Sequence, residues 1–366
     1  MSNVALSLTN DYLNLLLNGV PMIDVRAPIE SQMGALPFAT NLPLMTDEER
    51  HEVGICYKER GQKEAIALGH SLVCGDSKQT RVDAWQAFFI AHPTAVLYCA
   101  RGGLRSQLSQ QWLADTGIDC PRVEGGYKRL RGFLIEQLNE VCSTEKLVLL
   151  SGMTGTGKTD IIKTLPRSID LEGAANHKGS SFGRPLNEQP AQIDFENNVI
   201  LELMGVRHKN PGRTIIVEDE SRNIGGRHLP IPLSDAMLNS PMVVIELPFE
   251  QRIEKLWREY VIERYQDTLA YHGDNAEQAF ADYLRDSLLR VKKRLGGQKT
   301  KEILELMESA IQQQHSDDFT SHRYWLQAIT ADYYDPMYSY QLEKRSDRVI
   351  FKGNHQEVTQ WLSELN

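Results

Sequence analysis

The sequence predicts two α/β domains, each built on a parallel sheet, the second running out into a long helical part. Three observations predict it. Residues 94–98, Thr-Ala-Val-Leu-Tyr, and residues 146–150, Lys-Leu-Val-Leu-Leu, are apolar runs of the kind found in strands buried on both faces of a parallel sheet. A glycine-rich loop and a helix-forming pattern follow each run. The length of 366 residues fits two domains at about 150 residues each.

The elements follow in chain order. Residues 21–25 read as a short strand, and residues 46–73 as a charged helical insert. After the strand at 94–98, Leu104, Leu108 and Trp112 recur at helical spacing, and Gly117 is placed to stop that helix. Residues 127–141 read as a helix leading out of the first domain. The domains are thus 1–138 and 139–366. In the second, residues 146–150, 214–217 and 242–245 are buried strands, and from Pro248 the chain reads as mostly helical to its end.

Composition narrows the class. Apolar residues make up 41% and charged residues 24%, which excludes a disordered or collagen-like chain. The net charge of −9 argues against a protein coated in basic residues, although a local basic patch can still bind phosphates. No apolar run approaches the ~20 residues of a membrane helix. Residues 1–19 carry Asp11 and lack the basic start of a signal peptide. The five cysteines, Cys56, Cys74, Cys99, Cys120 and Cys142, form no CxxC pair. A cytoplasmic protein with reduced thiols and no membrane contact is the expectation.

Gly152-Met153-Thr154-Gly155-Thr156-Gly157-Lys158-Thr159 fits G-x-x-x-x-G-K-[ST] at every fixed position, after a strand and before a helix. The pattern is that of a P-loop NTPase-like domain. Gly152, Gly155, Thr156 and Gly157 would wrap backbone N–H groups around a phosphate at a helix N-terminus. Lys158 would neutralise its distal charge, and Thr159 would hold Mg²⁺. The partner carboxylate should end a neighbouring strand. Asp219 of Glu218-Asp219-Glu220 is the choice, with Glu218 and Glu220 as alternatives. No tightly bound cofactor is expected beyond Mg²⁺ at this loop.

Cys99-Ala100-Arg101-Gly102-Gly103-Leu104-Arg105-Ser106 is a C-x5-R loop between a strand and a helix start. A thiol beside Arg101 and Arg105 and at a helix N-terminus should ionise below the free value of about 8.5. The loop N–H groups would cradle whatever the sulfur carries. The other four cysteines lack such surroundings and are assigned to packing.

Together with Ile23-Asp24-Val25-Arg26-Ala27-Pro28-Ile29-Glu30 and Glu124-Gly125-Gly126-Tyr127, the cysteine loop resembles that of a rhodanese domain, a carrier of sulfur or selenium on cysteine. Ordinary single-domain sulfurtransferases have a loop one residue shorter. The longer loop suggests a roomier cradle, suited to selenium or a phosphate-bearing donor. A rhodanese-like domain ahead of a P-loop domain is similar to the bacterial tRNA 2-selenouridine synthase family. So are Asn176-His177-Lys178-Gly179-Ser180-Ser181-Phe182-Gly183, Lys293-Arg294-Leu295-Gly296-Gly297 and Tyr333-Tyr334-Asp335-Pro336-Met337-Tyr338. The resemblance implies an enzyme that modifies tRNA at a wobble 2-thiouridine in two steps. Geranyl diphosphate first alkylates the sulfur. Selenium from selenophosphate, carried on Cys99 as a perselenide, then replaces the S-geranyl group and leaves 2-selenouridine. Cys99, Arg101, Arg105 and Lys158 would be the catalytic residues.

Arg285, Arg290, Lys292, Lys293, Arg294, Lys299 and Lys301 crowd one stretch with Asp286 as its only acid. Lys292, Lys293 and Arg294 are the candidates for tRNA phosphates, against a solvated helix face as the alternative. Residues 122–131 form a weaker second patch. Tyr333, Tyr334, Tyr338 and Tyr340 would stack bases, line a prenyl pocket or pack a helix, and His177 and Lys178 would reach the diphosphate. Two other functions compete: a P-loop small-molecule kinase or ATPase with a rhodanese regulatory domain, and a sulfur-relay adaptor.

Overall fold

The structure is a computed structural model and describes residues 6–314 and 318–365. The chain divides into two compact units, residues 1–140 with 191–205, and residues 141–190 with 206–366. The linear division at 138/139 differs from this, because residues 191–205 count with the first unit. Ala35 explains why. Its N–H donates to Asp194 Oδ1 at 2.6 Å, and its carbonyl accepts from Asn197 Nδ2 at 2.7 Å.

The first unit holds a five-stranded sheet of β1 (Leu8–Thr9), β2 (Met22–Asp24), β3 (Ala39–Asn41), β4 (Val96–Tyr98) and β5 (Arg122–Val123), ordered β1-β5-β4-β2-β3. Every pairing is parallel. All residues of β2 and β4 are buried, as their apolar runs require of central strands. The charged insert forms helices Asp47–Arg60 and Gln62–Leu72. Thr46 and Glu49 cap the first of these reciprocally. The helix after β4 spans Leu104–Ala114, and the exit helix Gly126–Thr144.

The second unit's main sheet contains β6 (Leu147–Gly152), β7 (Ser168–Ile169), β8 (Ile215–Glu218), β11 (Met242–Ile245) and β12 (Val349–Gly353), ordered β12-β11-β6-β8-β7 and parallel throughout. A small antiparallel hairpin joins β9 (Asn223–Ile224) to β10 (Arg227–His228). Beyond Pro248 the chain is mostly helical, as expected, and β12 is the one strand among the described residues there. It is an edge strand with half-exposed alternating residues, so no buried apolar run marks it. The helical part packs around Phe182, Phe280, Trp325 and their apolar neighbours. Among the described residues, no helix is long and apolar enough to cross a membrane.

Candidate functional site

Cys99 ends β4 and is 3% exposed, under the first turn of helix Leu104–Ala114. Two glycines make the loop. Gly102 and Gly126 have φ of 65° and 59°. A Cβ on Gly126 would stand 2.2 Å from the Cys99 carbonyl oxygen, and one on Gly102 2.8 Å from Gly125 N. Tyr127 N–H and Lys128 N–H donate to the carbonyls of Cys99 and Ala100, both at 2.9 Å. The Glu124–Tyr127 string is therefore the other wall of the cysteine loop.

The sulfur lies 3.2 Å from Ser106 Oγ, a partner that the sequence did not single out although it is the last residue of the quoted loop. Burial pushes the Cys99 thiol up. The Ser106 hydroxyl, the backbone N–H groups of Arg101 and Ser106 and the Arg105 charge outweigh it, and the thiol ends below its ordinary value. Cys120, pushed up by burial to about 12, and Cys142, to about 11, show what burial does alone or beside an acid.

The two arginines differ from expectation. Arg105 makes a forked pair with Glu30 at 2.5 and 3.0 Å, so its charge acts on the sulfur from a distance. Glu30 also pairs with Arg50 at 3.1 Å. The Arg101 side chain is exposed, with no ion pair or hydrogen bond among the described residues, and its contribution to the sulfur is its backbone N–H. Asp24 and Arg26 form a buried pair at 2.6 Å. The Arg26 guanidinium stacks 4.0 Å over the Tyr127 ring, tying the end of β2 to the wall of the cysteine loop.

In the second unit the P-loop leaves β6 and enters helix Lys158–Thr164. Gly155 and Gly157 take φ of 79° and 78°, a conformation that glycine adopts without strain. Thr156 corrects its assignment as a phosphate ligand. Its N–H at 3.2 Å and its hydroxyl at 2.8 Å both donate to the Met153 carbonyl, so it shapes the loop from within. Gly152 gives it room: a Cβ there would sit 2.6 Å from Thr156 Oγ1.

Lys158 and Thr159 face a ring of acids. Thr159 Oγ1 lies 3.0 Å from both Glu172 Oε2 and Glu218 Oε1. Oxygens of Glu172, Glu218 and Glu220 lie within 4.8 Å of one another. Burial pulls the Lys158 ammonium down, but Tyr338, Glu220, Glu218 and Glu172 hold it above its ordinary value. Burial raises Glu218, and pushes Glu220 up to about 8 against the pull of Lys158.

Asp219 is not in this ring. It pairs with Arg345 at 2.8 and 3.0 Å and accepts from Ser151 Oγ at 2.6 Å. β8 ends at Glu218, where the Glu220 N–H turns back to the Glu218 carbonyl at 2.9 Å; Glu218 and Glu220 stand together with Glu172, while Asp219 goes to Arg345. Glu172, from the short helix Leu171–Ala175, had no sequence signal beyond being acidic. The buried Glu218 Oε2 has no hydrogen-bond partner among the described residues, and its lone pairs suit a hard cation. Glu172, Glu218, Glu220 and Thr159 fit Mg²⁺ better than the expected Thr159–Asp219 pair.

The P-loop opens on a cavity of about 750 Å³, lined among others by Lys158, Thr159, Glu172, Lys178, Tyr260 and Tyr338. Two π-helical turns, Arg258–Glu263 and Thr330–Tyr334, bring tyrosines to the loop that follows Asn176. Ser180 Oγ donates to Tyr260 Oη at 2.8 Å, and Ser181 Oγ and Tyr334 Oη are 2.9 Å apart. Phe182 anchors the same loop against Trp325, ring centroids 5.1 Å apart. Of the tyrosine cluster only Tyr338 lines the cavity, its ring 5.9 Å from Lys158 Nζ. Tyr334 and Tyr333 pack inward, and Tyr340 is exposed.

The basic stretch is partly neutralised. Arg285 is held by Glu308 and Asp282, Lys299 by Asp332 and Lys301 by Glu305. Lys292, Lys293 and Arg294 are exposed at the end of helix Ala276–Leu295, without an ion pair among the described residues. In the patch at 122–131, Arg122 donates to the Gly102 carbonyl, Arg129 pairs with Glu136 and Arg131 with Glu196. That patch is mostly tied into the fold.

Residues 145–366 match the family model described as the tRNA 2-selenouridine synthase AAA domain. A tRNA 2-selenouridine synthase from Hahella chejuensis is 47% identical over 97% of this chain and 94% of its own. Those from Cupriavidus pinatubonensis and Marinobacter nauticus are 49% and 48% identical, over 97% and 96% of this chain and 98% and 96% of theirs. The chain belongs to the tRNA 2-selenouridine synthase family. The segment matched as this synthase's AAA domain contains the P-loop, the three glutamates, both π-helical turns and the basic helix end. Among solved structures, the N-terminal domain of a Clostridium difficile 630 protein described as ATP/GTP binding is 34% identical and covers 35% of this chain and 99% of that one, with a TM-score of 0.31.

A consequence of the acid ring can be measured directly. Without a cation, Glu220 keeps its proton up to about 8 in the folded state, while an unfolded chain releases it in the ordinary carboxyl range. The folded state then binds more protons over that interval, so cation-free protein should lose stability as pH rises through it. Mg²⁺ competes with those protons. Thermal unfolding should show a larger Mg²⁺-induced rise in Tm at pH 8 than at pH 6. An equal rise at both would remove the three glutamates as its ligands.

Proposed function

We propose that the chain converts wobble 2-thiouridine in tRNA to 2-selenouridine in two steps, alkylating the sulfur from geranyl diphosphate and then exchanging S-geranyl for selenium from selenophosphate. Conversion of tRNA to its 2-selenouridine form follows from the family; the two-step chemistry rests on the pairing of sites. One unit offers a phosphate loop whose Lys158 is held charged, and the other a rhodanese-like loop whose cysteine is held below the ordinary thiol value.

In the first step a C–O bond to diphosphate breaks as the C–S bond forms, and the uridine ring gives up its N3 proton. Lys158 and the loop N–H groups meet the charge on the departing diphosphate. Mg²⁺, held by Thr159 and the three glutamates, would add positive charge to the same oxygens. The Tyr338 ring stands 5.9 Å from the Lys158 ammonium on the same cavity wall. Alkylation turns a poorly departing thiocarbonyl sulfur into a thioether that can leave as a thiol. In the second step the P–Se bond of selenophosphate is hydrolysed to phosphate, the selenide adds at the ring carbon as the C–S bond breaks and geranyl thiol leaves, and the lowered Cys99, with Ser106 and the loop N–H groups around it, is the group that holds the selenium for this exchange.

Mass spectrometry of nucleosides from thiolated tRNA, incubated with the protein, geranyl diphosphate and selenophosphate, tests this. S-geranyl-2-thiouridine should appear first and 2-selenouridine after it. Nucleotide turnover with no change in the tRNA would favour a P-loop kinase or ATPase instead.

Lys292, Lys293 and Arg294 should hold tRNA phosphates. In a triple alanine variant, the slope of log K against log salt should flatten by about one unit for every phosphate no longer neutralised. An unchanged slope would make this stretch a solvated helix face.

A further inference from the structure

A second cavity of about 500 Å³ adjoins the P-loop pocket, sharing Asn176, His177, Lys178 and Tyr260 with it. Its other side is made by Arg184, Arg264, Tyr271 and Tyr283. We propose that this cavity holds a phosphodiester of the bound RNA, clamped between Arg184 and Arg264.

Three nitrogens on the lining residues lack a hydrogen-bond partner among the described residues. Arg264 lies flat over Tyr283, its guanidinium carbon 4.0 Å from the ring centre, and has no acceptor among the described residues. Its Nε is buried and unpartnered, and so are Arg184 Nε and His177 Nδ1. The ion contact of Arg184 is a long one, 3.9 Å to Asp286. Buried polar groups are as a rule hydrogen-bonded, because leaving a donor dry and unpaired is costly. Three such donors around one cavity make a receptor for an anion.

The charges agree. Burial and the neighbouring Arg184 hold Arg264 below its ordinary value, outweighing Tyr283 and Asp267. Burial, with Arg184 and Arg290, does the same to His177, against a backbone hydrogen bond at Lys178 that raises it. Lys178 is already matched by Glu259 at 3.4 Å, and Glu263 and Asp267 lie on the lining. Glu259, Glu263 and Asp267 on the same lining oppose a multiply charged free phosphate, so a singly charged phosphodiester beside Arg184 and Arg264 suits the cavity better. Arg290 also connects the cavity to the exposed basic end of helix Ala276–Leu295. Tyr271, 61% exposed on the lining, offers a face on which the neighbouring base can stack.

The proposal rests on tRNA being the substrate, and the test separates the two. Full-length protein is titrated with an anticodon stem-loop RNA over a range of salt, beside titrations with inorganic phosphate and pyrophosphate. Arg184→Ala should flatten the slope of log K against log salt by about one unit, and Arg184→Ala with Arg264→Ala by about two. The corresponding lysine pair should keep the slope, and pyrophosphate binding should not change. An unaltered slope in folded Arg184→Ala protein, or loss of phosphate binding with RNA binding intact, overturns the cavity assignment alone. Wild-type protein that binds no RNA at low salt overturns the tRNA reading and the cavity with it. Should the double variant fail to fold, the half-exposed Arg184 supplies the slope by itself.

Discussion

Lys158→Ala protein should fail to geranylate thiolated tRNA while still selenating tRNA that arrives already geranylated. Lys158 ends the P-loop turn beside three glutamates, on the wall of the cavity expected to take the diphosphate. Geranyl transfer has carbocation character at the carbon, so the site acts chiefly on charge gathering on the departing diphosphate. Removing one charged donor of this kind typically costs about 10²–10³ in rate. The loss should be larger here, because the glutamates would remain without their internal countercharge and would repel the diphosphate. Selenation involves no diphosphate and should proceed. The measurement is 2-selenouridine formed from synthetic S-geranyl tRNA and selenophosphate. If this step falls as far as geranylation, in protein that still folds and binds tRNA, the division of labour between the two loops is wrong.

The complementary result is expected of Cys99→Ser: S-geranyl-2-thiouridine should accumulate and 2-selenouridine should not form. Serine fills nearly the same space beside Ser106, so the loop around Gly102 and Gly126 keeps its shape. An alcohol, however, has neither the low ionisation of this thiol nor its capacity to carry selenium. Ser106→Ala should give a milder defect, because it removes one of several groups that lower the Cys99 thiol and leaves the backbone N–H groups in place. Selenation by Cys99→Ser at near the wild-type rate would end the carrier role.

The sequence displays the central strands of both sheets because their residues are buried on every side and apolar without interruption, as in β4 and β6. It conceals the short strands and the outer ones. β1, β5 and β7 are only two residues long, and β12 alternates its exposure at the end of a helical stretch. Residue spacing makes the two loops visible as strings, yet the groups that complete them come from elsewhere. Glu172 arrives from a separate short helix, and Glu30 captures Arg105 from a different one. Glu218, which the sequence offers as an alternative to Asp219, is the buried last residue of β8, opposite Leu150 on the P-loop strand, whereas Asp219 is taken up by Arg345 and Ser151. Nothing local announces that residues 191–205 pack with a domain that seemed finished before residue 140.

That excursion bears on how the gene can be inherited. The first unit is encoded in two pieces, with residues 141–190 of the second between them. A break at codon 140 would yield a polypeptide missing Asp194 and Asn197, which hold both backbone groups of Ala35 and, through Asn197, Arg131. A gene cut at that junction would give a first half in which the Ala35 backbone groups and Arg131 lack the partners they have here.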